Sequence, residues 1–459
     1  MLSAQEKQSK GAVNLGIFSL LDKEQKQAVG LLSIGTFLEY FDLMLYIHMA
    51  VLLNELFFPK TDPHTAVLLT ASTFCLTYIF RPIGALFLGW IGDNIGRKVT
   101  VILTIMFMSL SCVFMANLPT YAQIGITASW SVVICRIIQG ISSMGEITGA
   151  QLYLSETIKP PVKYPVVALL GFVVAIGTAA SLGVASLIIY FGFSWRIAFG
   201  MGAIIALIGA TARIKLRETP DFVEAKLRIK LANERNNPDD KHRIDYTIIQ
   251  EEKVNQKTTL ALFLMDCMWP LCFYFSYIHC GTILKHSFSY SPEQIIYQNF
   301  IVSVVQIISY LLFVLLSYKV YLLKILKAKL TICAVIIVFS PYWVDNISSP
   351  FSLLVLQSAI IFFAPDSAPA TSILYKYFPI FKRFTYISFT YALSRAITYV
   401  ITSFGLVYLT GNIGSWGVLV IIIPIFIGYI FGLRHFEKLE RGSLNNVLGN
   451  DYNVTHNLA

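Results

Sequence analysis

The chain has 459 residues, 56% of them apolar and only 13% charged, with a mean hydropathy of +0.66. A soluble protein of this length needs far more polar surface, so composition excludes that class and marks an integral membrane protein. The formal net charge of +9 reads as a topology signal, giving no reason to expect a nucleic-acid partner.

A spanning helix needs roughly 20 apolar residues. Twelve such segments are predicted, at 28–53, 65–91, 99–117, 125–155, 164–191, 195–214, 258–283, 293–317, 326–344, 350–375, 384–410 and 414–434. No alternating β-barrel pattern is present, and helices then satisfy the backbone in lipid. The expected fold is all-α, with twelve transmembrane helices in two six-helix bundles around a central cavity. The expected division is a tail 1–27, an N-terminal bundle 28–214, a linker 215–257, a C-terminal bundle 258–434 and a tail 435–459.

The first 27 residues are polar and carry Lys7, Lys10, Lys23 and Lys26, with no cleavage pattern after them, so the first span is read as an uncleaved anchor. With the N-terminus inside, only Lys60, Arg196 and Lys285 fall outside, and Arg81, Arg136 and Arg395 fall within helices. Every other Lys and Arg, Lys329 among them, then lies on the cytoplasmic side with both termini. A bacterial cell inner membrane is the expected location, on composition only. The linker contains Asn236-Asn237-Pro238-Asp239-Asp240. Its Glu224–Lys230 stretch could form a surface helix but has no evident core to join, so the segment is read as a flexible connector. The tail 435–459 shows no heptads and is expected to be short and mobile.

Between spans 2 and 3 stands Gly89-x-x-Gly92-Asp93-x-x-Gly96-Arg97-Lys98. Gly89 and Gly92 allow tight packing and a turn at the membrane face. Asp93 is suited to accept from helix N-terminal amides across the bundle interface. Arg97 and Lys98 are suited to pair with Glu156 at the inner end of span 4 or with lipid phosphate. These residues form the expected cytoplasmic gate.

Charges inside the bilayer are costly, about 2.5–3.5 kcal/mol each on insertion scales, and so call for a partner or a wet cavity. Glu39 lies about 16 Å into its helix, at a depth matching Arg81 and Glu146, so the three are expected in one layer. Glu39 and Asp42 share a helix face, with Tyr46 a turn on. Arg136 is nearer the depth of Asp42 and Tyr46 and is expected to anchor a substrate carboxylate through its bidentate fork. Asp366 and Arg395, each about ten residues from the 376–383 turn, are expected to pair, either to fix helix register or to serve the cavity. Asp266 is expected near the interface. Glu39, Asp42 and Glu146 are the candidate proton-coupling carboxylates, with Asp42 and Glu146 ranked first. His48 is read as packing. Trp269, Phe273, Tyr274, Phe275 and Tyr277 form an aromatic stripe suited to packing or to caging a quaternary ammonium.

Further motifs are Gly35-Thr36-Phe37-Leu38-Glu39-Tyr40-Phe41-Asp42, Arg81-Pro82-Ile83-Gly84, Arg136-Ile137-Ile138-Gln139-Gly140, Gly145-Glu146, Ser194-Trp195-Arg196 and Leu216-Arg217-Glu218-Thr219-Pro220. With the span 2–3 turn they make the chain resemble the metabolite:proton symporter family of the major facilitator superfamily. Members of that family carry proline/betaine, α-ketoglutarate, citrate or shikimate. The resemblance covers the N-terminal half almost continuously and thins in the C-terminal half to Phe378-Pro379 and Lys382-Arg383. The second copy of the turn is reduced to Ser317-Tyr318-Lys319, span 11 carries Arg395, and the tail lacks the coiled coil of osmosensing members. The resemblance implies import of a small zwitterionic or carboxylate metabolite with a proton. Span 5 has Gly171, Gly177 and Gly183 without the Pro-Gly pair of drug antiporters, which favours symport over export.

All seven cysteines sit in apolar stretches without metal-ligand spacing, and no nucleophile–base arrangement points to an enzyme. No cofactor or metal is expected beyond the proton as coupling ion, and the expected partners are a small-molecule solute and the bilayer, around a monomer. An uncoupled facilitator or exchanger, or a transport-inactive membrane sensor, remain the alternatives.

Overall fold

The computed structural model describes residues 20–59, 72, 74–145, 147–235 and 253–456. Among them the chain is helical throughout, with no strand. In order, the spans are Lys23–His48 (span 1), Phe74–Asn94 (2), Arg97–Asn117 (3), Ile126–Thr157 (4), Lys163–Phe191 (5) and Trp195–Arg213 (6). After the linker come Gln256–Phe288 (7), Pro292–Leu316 (8), Leu322–Asp345 (9), Pro350–Phe363 with Thr371–Tyr375 (10), Ile380–Val400 continuing to Ile413 (11) and Gly417–His456 (12).

Local chemistry sets several boundaries. Span 1 starts on a capping box in which Asp22 accepts from Gln25 N at 2.7 Å and Gln25 accepts from Asp22 N at 3.2 Å. Span 8 starts on a Ser291–Gln294 box with Pro292 at its first position. Span 10 breaks at 364–370, where Pro365 and Pro369 lack the N–H a continuous helix needs. Span 4 tightens into a 3₁₀ turn at Ser143–Gly145.

Spans 1 and 5, and 3 and 6, pack within the first bundle, while 7 and 12, and 8 and 10, pack within the second. The bundles meet where span 2 lies along span 11 and span 5 along span 8. Side chains such as Phe87 and Trp90 on span 2 and Ile204 and Ile208 on span 6 point outward, as a lipid-facing surface requires. All seven cysteines are free and buried.

Three expectations change. The linker is helical over Pro220–Arg235, and Phe222 finds a core after all, buried against the rings and charges at the ends of spans 3 and 11. The tail is helical through His456, as the continuation of span 12. Lys329 is 4% exposed inside span 9, its ammonium 4.5 Å from the Phe313 ring centroid, so it does not belong with the loop lysines. Its long stem made the loop reading plausible, but the helix begins at Leu322, earlier than the hydropathy run suggested. Residues 65–71 and 73 of the predicted second span, and Glu146, lie outside the described residues.

Candidate functional site

At the end of the molecule carrying the span 2–3 turn, the bundles are tied by charge. Asp93 accepts from the main-chain amides of Phe384 at 3.0 Å and Thr385 at 2.9 Å, in the opening turns of span 11, where the helix dipole favours an anion. Arg97 binds Glu156 at 3.2 Å, donates to the Ile380 carbonyl at 2.7 Å and lies 3.4 Å from Asp93. Arg383 reaches the other Glu156 oxygen at 3.1 Å, and the Thr219 hydroxyl donates to Glu156 at 2.8 Å. One carboxylate thereby joins spans 3, 4 and 11 and the linker.

Two glycines make this approach possible. A Cβ on Gly89 would stand 2.6 Å from Thr385 Cα, a backbone atom that cannot swing aside. Gly96 sits at φ +153°, and a Cβ there would collide with the Glu218 carboxylate. That carboxylate accepts from the amides of Arg97 (3.0 Å), Lys98 (3.3 Å) and Thr219 (2.9 Å), capping span 3 from the linker. Burial, and then the nearby Glu156, raise the pKa of Asp221 at the head of the linker helix.

The second bundle has a related tie. Ser317-Tyr318-Lys319 supplies no acid, and Glu440 on the extension of span 12 takes that place. It binds Lys376 at 2.5 Å and accepts from Tyr377 at 2.5 Å and Tyr321 at 3.0 Å.

Deeper in, bridges cross between bundles: Thr148 to Ser388 at 3.2 Å, Tyr375 to Gln151 at 3.1 Å and Tyr40 to Tyr391 at 2.9 Å. Beyond them a cavity is walled by Tyr40, Tyr78, Arg81, Trp269, Phe273, Gln306, Arg395 and Tyr399, among others. It has room for about 10 Å³ of water centres, roughly one molecule. Toward the opposite end it is capped by rings, with Tyr78 to Tyr399 at 4.3 Å and Phe74 to Tyr399 at 5.1 Å between centroids. Spans 7 and 11 are both π-helical beside this plug, at Tyr274–His279 and Ile401–Gly405, and such wide turns are frequent at functional sites. The cavity is therefore closed at both ends.

The in-membrane charges fall into separate groups. Glu39 lies 3.8 Å from Arg81, and Arg81 also stacks over Tyr78. Asp42 pairs with Arg136 at 3.9 Å within the first bundle, where Arg136 also binds Thr77 and Gln139 and stacks on Tyr46. Arg136 does not line the cavity, because these neighbours surround its guanidinium inside the first bundle. Equal depth placed it correctly along the helix, but the helix's rotation took it inward. The expected Asp366–Arg395 pair does not form either. Asp366 accepts from Tyr310 at 2.5 Å, while Arg395 donates to the main-chain carbonyl of Asp266 at 3.1 Å and stacks on Tyr391. The broken span 10 turns Asp366 toward span 8. Asp266 is buried and accepts from Ser367 at 3.0 Å.

Several functional positions gave little sequence signal. Glu218 and Arg383 stand in motifs that carry the resemblance, but nothing in the sequence indicated what they touch. The tyrosines of the cavity looked like the membrane's usual aromatic content; their opposed positions on spans 1, 2 and 11 emerge only when the bundles close.

Two bundles enclosing a buried polar cavity, with ties at one end, define the architecture of the major facilitator superfamily. A family profile described as "Sugar (and other) transporter" matches residues 29–436, and the chain belongs to that family. A putative metabolite transport protein of Haemophilus influenzae is 37% identical over 211 residues, 44% of this chain and 46% of that one. A proline/betaine transporter of Salmonella typhimurium is 32% identical over 218 residues, 46% of this chain and 44% of the relative. The chain thus spans about half the length of the curated relatives it matches. Among solved structures, the proton:xylose symporter XylE aligns with a TM-score of 0.70 at 15% identity, covering 91% of this chain and 95% of that one. The likeness at this identity concerns the fold alone. The family is one of membrane transporters, not enzymes.

Proposed function

We propose that the protein is a secondary active transporter that imports a small zwitterionic or carboxylate-bearing metabolite together with a proton, by alternating access. The observation that carries this reading is the closed cavity between the bundles, which holds two arginines in an aromatic wall. The Asp93, Arg97 and Glu156 ties are hydrogen bonds and ion pairs, reversible links that can break as the bundles rock apart. In this reading the turn end faces the cytoplasm, both termini lie inside and the membrane is a bacterial inner membrane. The protein acts as a monomer.

Coupling is assigned first to Glu39. Its partner Arg81 forms part of the cavity wall, so a solute reaching Arg81 changes the charge that Glu39 feels. Asp42, whose partner Arg136 is turned into the first bundle, is placed second. The proline/betaine and metabolite transporters among the relatives support the solute class. Reconstituted protein tests the reading: an inwardly directed proton gradient drives uptake of at least one of proline, betaine, α-ketoglutarate or citrate. Absence of gradient-driven uptake of all four rejects it.

A further inference from the structure

Arg395 is a buried guanidinium, 5% exposed, in the wall of the central cavity. It differs from Arg81 and Arg136, the buried arginines of spans 2 and 4. Arg81 has Glu39 at 3.8 Å and Arg136 has Asp42 at 3.9 Å. Among the described residues, Arg395 has no carboxylate within the 4.0 Å that defines an ion pair. Asp266 offers it a main-chain carbonyl at 3.1 Å, while Oδ1 of that aspartate accepts from Ser367. The other hydrogen bond from Nη1 runs to Ser394 at 3.4 Å. A guanidinium carries five donors in a planar fork, so these two bonds from Nη1 use only part of it. The Tyr391 ring, 3.5 Å from the guanidinium carbon, holds the plane in position.

A charge left this way in a spanning segment is unfavourable unless something answers it. Among the described residues, no acid forms part of the cavity wall; the charged residues there are Arg81, already answered by Glu39, and Arg395. The rest of the wall is mainly rings and apolar side chains, with Trp269, Phe273, Tyr78 and Tyr399 nearest in chemistry to a face for a compact apolar or quaternary-ammonium body.

We propose that Arg395 is the carboxylate anchor of the cavity and that the solute bears a single carboxylate on a compact body. The site then rejects neutral solutes of the same size, sugars included, because they leave the guanidinium without its counter-charge. The proposal rests on the transport reading for its biological meaning, but binding tests it separately.

The test is thermal stabilisation of the purified full-length protein by proline, glycine betaine and benzoate. Each is set beside a carboxylate-free counterpart (prolinamide, choline and benzamide), with D-xylose as the neutral sugar. At least one carboxylate is expected to stabilise the wild-type protein while its counterpart and xylose do not. Arg395→Gln is expected to weaken that binding on the order of 30-fold or more, with Arg395→Lys in between because charge remains but the fork is lost. Equal stabilisation by a carboxylate and its counterpart, stabilisation by xylose, or no stabilisation by any carboxylate overturns the anchor. So does unchanged affinity in Arg395→Gln. The wild-type comparison needs no variant and decides the matter even if the substitution prevents folding. Binding that follows this pattern without uptake into proteoliposomes would reject the transport reading and leave the anchor standing.

Discussion

The carboxylate of Asp93 on span 2 accepts the main-chain amide of Thr385 on span 11 at 2.9 Å, joining the two bundles at the turn end. A charge-assisted hydrogen bond of this kind contributes about 1.5–3 kcal/mol, and Asp93 makes a second one to Phe384. Asp93→Ala is therefore expected to shift the population toward the state open at the turn end. A cysteine introduced at Ser388, which is 1% exposed here, should react with a thiol reagent at least several-fold faster in the Asp93→Ala background. Equal labelling rates in the two backgrounds would remove Asp93 from the gate.

Gly89 makes the same contact sterically. An alanine there puts its Cβ 2.6 Å from Thr385 Cα, closer than side-chain atoms pack. Gly89→Ala should lower the rate of uptake severely while leaving the protein folded and inserted, because the clash arises only where spans 2 and 11 close on each other. Normal uptake by this variant would show that spans 2 and 11 do not need to approach so closely.

Glu39 and Asp42 give opposite signatures. Glu39→Gln is expected to abolish accumulation driven by a proton gradient while preserving counterflow of solute between equal pools. Asp42→Asn weakens the counter-charge that Arg136 has inside the first bundle, and breaking such a pair costs about 3 kcal/mol of stability. Its uptake should fall in step with the amount of folded protein, with the pH dependence unchanged. If Asp42→Asn abolishes accumulation but keeps counterflow and thermal stability, the coupling assignment belongs to Asp42.

Glu218→Ala removes the acceptor shared by the amides of Arg97, Lys98 and Thr219. A lost cap of this type costs on the order of 1 kcal/mol. A lowered melting temperature is expected, together with faster proteolysis within the linker. An unchanged melting temperature and cleavage rate would detach Glu218 from the start of span 3.

The class of fold was legible because hydropathy acts on every residue of a span, and twelve apolar segments have few ways to satisfy their backbone. The span 2–3 turn was legible for a related reason: Gly89, Gly92, Asp93 and Arg97 act close together in the chain. Arg395 and Asp366 show where such reasoning stops. Their expected matched depth fixes only one coordinate, and beyond the break at 364–370 in span 10 Asp366 meets Tyr310 instead. Arg136 failed as a cavity residue for the same reason. Phe222 was missed because its core is made by the ends of spans 3 and 11, which no local pattern in the linker reports.

Gradient-driven uptake into proteoliposomes, run with and without a protonophore, tests the transport account most directly. With proline, betaine, α-ketoglutarate and citrate as solutes, the account predicts saturable accumulation of at least one when the interior is alkaline, lost on adding the protonophore. Flux of a solute that equilibrates but never accumulates, whatever the gradient, would contradict proton coupling. No saturable flux of any of the four would contradict the transport reading itself.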